Sequence, residues 1–243
     1  MKSPLCLLLL LMLLTTYSFS QPRPTHADTL VNRAREFAMA KKMDKAFQTL
    51  DSAVAIGYFK HKLIETDPHL EALRKDPRYK TLHERVLDNA YPCRQMPEAR
   101  AFDFWLGDWD VFATASMSFK TGTSSITRAS QGCVILENWH AVGPHEGMSM
   151  NYFDPADKKW KEKWVGSGQD IQEFYDGEYV DNAMRFKFIG KNPDGTPFTG
   201  RLTFSNLSPE KVRQHSERTD DNGNTWQTIY DFTYIRKADG AKP

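Results

Sequence analysis

The chain has 243 residues, 40% hydrophobic and 12% aromatic, with 32 Lys and Arg against 31 Asp and Glu. This composition excludes a disordered chain and a polytopic membrane protein, and the near-zero net charge leaves no electrostatic footprint for nucleic acid. The length suits one large domain or two small ones.

Lys2 supplies a short basic region, Leu5 to Leu14 is an almost pure leucine run, and Ser18-Phe19-Ser20 is a small-x-small cleavage site before Gln21. The run is shorter than the roughly 20 apolar residues a spanning helix needs, so residues 1–20 read as a cleaved secretory signal peptide. The expectation is a periplasmic or secreted protein without stable membrane insertion. Cys6 lies inside the apolar run and cannot be the modified cysteine of a lipoprotein signal. Lys2 is the only charged residue removed with this segment, which leaves 31 cationic against 31 acidic residues. Cys93 and Cys133 remain, an even pair bound for an oxidising compartment, and a disulfide is the default expectation.

Residues 21–90 read as a helical module. From Thr29 to Val54 the apolar positions Leu30, Ala34, Phe37, Ala38, then Ala46, Phe47, Leu50, Ala53 and Val54, recur at spacings of three and four. Lys41, Lys42 and Asp44 interrupt that stripe, which predicts two helices joined by a tight turn. Asp67-Pro68 and Asp76-Pro77 then frame short helical pieces carrying Leu70, Leu73, Tyr79, Leu82 and Val86. The helix pair with its buried-size alanines, followed by Asp-Pro-x-Leu-x-x-Leu-x-x-Asp-Pro-x-Tyr at 67–79, resembles the last unit of a tetratricopeptide array. Such units need neighbours to bury both faces. The resemblance therefore implies a helical lid or a docking surface for a protein partner.

Residues 91–101 have linker composition, and all six tryptophans, at 105, 109, 139, 160, 164 and 226, follow them. Nine alternating runs succeed one another: 109–117, 133–140, 148–153, 160–165, 171–175, 184–189, 201–207, 212–218 and 228–236. Asp154-Pro155-Ala156-Asp157, Asp176-Gly177, Pro193-Asp194-Gly195 and Asn222-Gly223 supply hairpin-turn chemistry between them. The prediction is a mainly β fold, an antiparallel meander over 102–237 that removes its edges by closing into a barrel, with 238–243 as a C-terminal tail.

Phe102-Asp103-Phe104-Trp105-Leu106-Gly107-Asp108-Trp109-Asp110-Val111 resembles the opening of a bacterial family of extracytoplasmic domains of unknown function. Gly132 to Trp139, Gly147-x-Ser149-x-Asn151-x-x-Asp154-Pro155, Trp160-x-x-x-Trp164-Val165, Val212-Arg213-Gln214 and the Asp221-to-Trp226 hairpin continue the likeness to about residue 237. The resemblance implies a calycin-like β-barrel, similar in architecture to lipocalins, fatty-acid-binding proteins and nitrobindins. It implies no activity, because barrels of this shape host binders and enzymes alike.

Polar side chains embedded in apolar strands mark the candidate site. Alternation sets Glu137 with Trp139 and Ser149 with Asn151 on shared faces, and groups Arg213 with His215 and Glu217. Convergent polar groups among large aromatics are what a small-molecule site requires. The expected ligand-binding set is Trp109, Glu137, Trp139, Ser149, Asn151, Trp164, Arg213 and His215, around a small, largely apolar molecule. One alternative is an enzyme on the same barrel, with Glu137 and either His140 or His215 as acid and base. The other is a non-catalytic interaction module around a side-chain-filled barrel. Glu137, His140, His145 and Glu146 match no established zinc spacing, and Gly147-Met148-Ser149-Met150-Asn151 lacks the second glycine of a nucleophile elbow. The likeness to nitrobindins does not reach their haem-ligand segment, and neither metal nor cofactor is expected.

Overall fold

The computed structural model describes residues 25–238; the expected signal peptide and most of the C-terminal tail lie outside them. The chain forms two compact units, one ending at His83 and the other starting at Glu84.

The first unit is helical: α1 (His26–Met39), α2 (Met43–Ala55), α3 (His61–Thr66), α4 (Glu71–Arg74) and the start of α5 (Arg78–Ala90). Thr25 opens α1 with a capping box, its hydroxyl accepting the Asp28 amide while the Asp28 carboxylate accepts the Thr25 amide at 3.0 Å. The chain leaves the helix between α1 and α2, where Lys41 takes φ 57° and the apolar stripe is broken. Ala34, Ala38, Ala46 and Ala53 are buried, and these small side chains let α1 and α2 approach closely.

The second unit is a closed antiparallel barrel of ten strands, β1 (Gly107–Ala113), β2 (Ser116–Ala129), β3 (Val134–Ala141), β4 (Glu146–Asp154), β5 (Lys159–Gly166), β6 (Ile171–Val180), β7 (Ala183–Lys191), β8 (Pro197–Ser208), β9 (Lys211–Thr219) and β10 (Gln227–Arg236). Every strand pairs with its sequence neighbours, and β10 pairs with β1 to close the ring. Buried residues alternate with exposed ones along β3, β7 and β9, as a sheet with a core on one face requires.

Two local expectations are corrected. Alternation predicts nine strands, but β2 is a tenth, missed by the apolar pattern because the small residues Gly122 and Ser124 face inward. Asp176-Gly177 is not a turn. It is a bulge inside β6, with Asp176 at φ 53° and the register shifting between Tyr175 and Glu178. The β6–β7 turn is Asp181-Asn182, both residues at positive φ as a two-residue hairpin of the I′ type demands.

One end of the barrel is filled. Asp103–Trp105 forms a single 3₁₀ turn that drops Phe102 and Trp105 into the interior, where Phe102 stacks on Trp105 at 5.0 Å and Trp105 meets Phe204 at 4.6 Å. Cys93 and Cys133 are joined by a disulfide between the segment before this turn and the β2–β3 connection.

Candidate functional site

The other half of the barrel holds a cavity of about 610 Å³. His145 and Asp170, from the β3–β4 and β5–β6 turns, and the exposed Ile171 and Ile229 stand at its mouth, so it opens to solvent at that end. Trp139, Trp164, Phe174, Phe188, Phe198 and Phe232 wall it, and Glu137, Glu162, Gln214, Ser216, Tyr230 and Tyr234 put polar atoms into the same space. The room for it comes partly from glycine. A Cβ at Gly147 would lie 2.3 Å from Trp164 Cζ2, and one at Gly122 would lie 2.8 Å from Trp139 Cη2, so both indoles approach bare backbone more closely than a side chain would allow.

Strand period places the polar groups. Glu137 shares the inner face of β3 with Ile135 and Trp139, and Ser149 and Asn151 share that of β4. Across the ladder Glu137 faces Ser149, and Asn151 faces Glu162 of β5. Ser124 donates to Glu137 Oε1 at 2.7 Å and Ser149 to Oε2 at 3.2 Å. The Tyr234 hydroxyl lies 2.8 Å from Gln214 Oε1 and 3.3 Å from Glu137 Oε1. Asn151 Nδ2 donates to Ser149 Oγ at 2.9 Å, which orients that serine toward the carboxyl. Glu162 Oε2 and Asn151 Oδ1 are buried without a hydrogen-bond partner.

Glu137 is 2% and Glu162 4% exposed, and among the described residues neither meets a cation. Burial pushes the Glu137 carboxyl up to about 7, against the hydroxyls of Ser124, Ser149 and Tyr234, which favour its ionised form. Glu162 is raised well above the usual carboxylate range by burial first and then by the neighbouring Glu137 charge. The phenols of Tyr230 and Tyr234 are raised in the same way, chiefly by burial. The site therefore keeps protons at a pH where exposed carboxyls have lost theirs, and it can donate or accept hydrogen bonds inside an aromatic cavity.

The residues singled out from sequence divide into four groups. Glu137, Trp139 and Trp164 line the cavity, with Trp164 Nε1 donating to Asp170 at 2.8 Å. Ser149 and Asn151 stand behind them as the hydrogen-bonded support of Glu137. Trp109 is packing: it is fully buried against Tyr234, donates to the Trp105 carbonyl at 2.8 Å and carries Arg236 over its ring at 4.2 Å.

Arg213 and His215 are corrected to the outer face. On β9 it is Val212, Gln214 and Ser216 that point inward, opposite Tyr234, Phe232 and Tyr230 of β10. Arg213 pairs with Asp231 at 2.7 and 2.8 Å, and His215 lies 3.0 Å from Thr228 Oγ1. His140 is also outside, exposed and 3.4 Å from Glu146, so neither histidine reaches a molecule in the cavity.

Glu162, Gln214, Ser216, Tyr230 and Tyr234 are absent from the sequence-derived set. Glu162 carried a signal, since it sits two residues from Trp160 and two from Trp164 on the same strand face. Gln214 and Ser216 carried none: Val212 is the only apolar residue near them on β9.

Among the described residues one group brings metal-type ligands together: His61, Glu65 and His83 of the helical unit, with donor atoms within 4.8 Å of one another. Glu65 Oε1 lies 2.9 Å from His61 Nδ1 and 2.8 Å from His83 Nε2. A carboxylate only accepts, so each of those ring nitrogens carries its proton toward it. Bonds from His61, Lys62 and His83 hold the Glu65 carboxyl down at about 2. The cluster satisfies itself without an ion.

No known protein-family model matches this chain, and no curated protein matches it.

Proposed function

We propose that this protein is a secreted or periplasmic, lipocalin-like barrel that binds a small, largely apolar molecule in its interior. The observation that carries the reading is the 610 Å³ cavity, walled by aromatic rings and holding a few convergent polar groups. A barrel serving only as a rigid interaction core would be filled by side chains, as the Phe102–Trp105 end is. The Cys93–Cys133 disulfide supports the oxidising location, and no described helix is long and apolar enough to cross a membrane. To the helical unit we assign the role of lid or protein-docking surface.

Native mass spectrometry of the chain from Gln21 onward, purified from its own host without detergent, tests the reading. The expected result is an excess mass that denaturation releases. A bare mass that stays bare after incubation with apolar small molecules would refute it.

A second reading is favoured by one observation, the Glu137 carboxyl poised at about 7 beside a second buried acid. That is the range in which a general acid or base works best. On this reading the acid–base pair is Glu137 with Glu162, because His140 and His215 face outward. Glu137→Gln separates the two. A binder keeps its neutral ligands, whereas an enzyme loses turnover by a factor of order 10² or more.

A further inference from the structure

The ionisable side chains deep in the cavity are acids and phenols. Glu137 and Glu162 lie deep in it and Asp170 stands at its mouth; among the described residues, His145 is the only basic side chain in the lining, which contains no lysine or arginine. Buried carboxyls in proteins are normally answered by a cation or by a full set of donors. Glu137 has only hydroxyl donors, and Glu162 Oε2 has no hydrogen-bond partner at all. The two acids sit on β3 and β5, two strands apart, both facing inward across Ser149 and Asn151 of β4. Trp139 beside Glu137 on β3, Trp164 beside Glu162 on β5 and Phe174 across the ladder from Glu162 line the same space with Tyr230 and Phe232, and aromatic rings also favour positive charge.

We propose that the cavity takes an organic amine, with its ammonium head held by Glu137 and Glu162 and its apolar body against the aromatic rings. This rests on the ligand-binding reading above and names the class of molecule bound. An ammonium supplies the donors that Glu162 lacks and the positive charge that both carboxyls lack. A carboxylate ligand would add its own negative charge beside two buried acids in the same low-dielectric space. An alcohol could hydrogen-bond there but would leave the charge unanswered.

Proton balance follows from the chemistry. At a pH where the acid pair is protonated, an ammonium ion enters as one carboxyl gives its proton to solvent and becomes the counter-ion. Amine affinity therefore rises with pH until that carboxyl is ionised without the ligand, and then levels off. The groups facing the pair are the phenols of Tyr230 and Tyr234 from β10, Gln214 and Ser216 from β9, Ser124 from β2, and Ser149 and Asn151 from β4, with His145 and Asp170 at the mouth. His145 at the mouth would also repel the ammonium in its charged form. A His145→Gln control separates its part.

The test is calorimetric titration of the full chain with three probes of one shape: phenylbutylamine, phenylbutanol and phenylbutanoate. At about pH 8 the amine is expected to bind roughly tenfold or more tightly than the alcohol, the usual advantage of a charge-assisted bond, and the carboxylate weakest. Lowering the pH to about 5.5 is expected to weaken the amine by tenfold or more and to leave the alcohol unchanged, in the His145→Gln chain as in the original. Replacing both acids, Glu137→Gln together with Glu162→Gln, is expected to bring the amine down to the affinity of the alcohol. The wild-type pH series decides the question should that variant fail to fold. Equal affinity for amine and alcohol, or preference for the carboxylate, overturns the amine and leaves the binding reading standing. Failure of all three probes to bind overturns both.

Discussion

Replacing Glu137 by glutamine should stabilise the barrel at neutral and alkaline pH. The folded carboxyl keeps its proton up to about 7, whereas its ordinary value is 4.5. Between those values the unfolded chain releases a proton that the folded chain retains, so the contribution of this group is complete below about 4.5 and is lost as the pH rises toward 7. At ~1.4 kcal/mol per pH unit the loss amounts to about 3 kcal/mol, reached near pH 7 and constant above it. Glutamine has nearly the same shape, offers an oxygen to Ser124 and does not titrate. The variant should therefore match the parent to within about 1 kcal/mol at pH 4.5 and exceed it by roughly 2–3 kcal/mol at pH 8. Urea unfolding followed by tryptophan emission reads this directly, because all six tryptophans lie in the barrel unit. The midpoint of the variant should sit roughly 1 to 2 M urea higher at pH 8. Stability profiles that run parallel for parent and variant across the whole range would show that Glu137 titrates alike in both states, and would refute the argument from burial.

Other perturbations read other parts of the molecule. Arg213→Ala and His215→Ala should leave phenylbutylamine affinity within about twofold of the parent, since both side chains stand on the outer face; a tenfold loss in either would contradict the register of β9. Gly147→Ala sets a methyl 2.3 Å from Trp164 Cζ2 and should cost about 1–3 kcal/mol of barrel stability, with loss of cavity affinity as the indole is displaced; unchanged urea midpoint and affinity would show that the ring moves freely. Replacing Cys93 and Cys133 together by serine opens a loop closed over 40 residues and should cost about 4 kcal/mol, visible as a lower urea midpoint than that of the oxidised parent. Coincident midpoints would mean that the bridge does not constrain the unfolded chain.

The closed barrel and most of its strands are legible in the sequence because they rest on local chemistry. Alternating side chains such as those of β3 and β7, and turns such as Pro193-Asp194-Gly195, act within a few residues of one another. The same alternation put Glu137 beside Trp139 and correctly suggested that both look inward. Hydrophobic contrast fails where small or polar residues face the core. β2 points Gly122 and Ser124 inward to accommodate the Trp139 ring and the Glu137 carboxyl, so it carries no apolar stripe to read.

Tertiary structure decided which face of β9 is inside and which half of the barrel is open. A strand has period two, so a slip of one residue exchanges its faces, and nothing local to Val212-Arg213-Gln214-His215-Ser216 sets the phase. Pairing with β10 sets it, by placing Val212 against Tyr234 and Ser216 against Tyr230. The 3₁₀ turn at Asp103–Trp105 fills one end with Phe102 and Trp105, and the space at the other end is what remains when ten strands close around them. Glu162 becomes half of a buried acid pair only through that closure, since its distance in sequence from Glu137 says nothing of their shared interior.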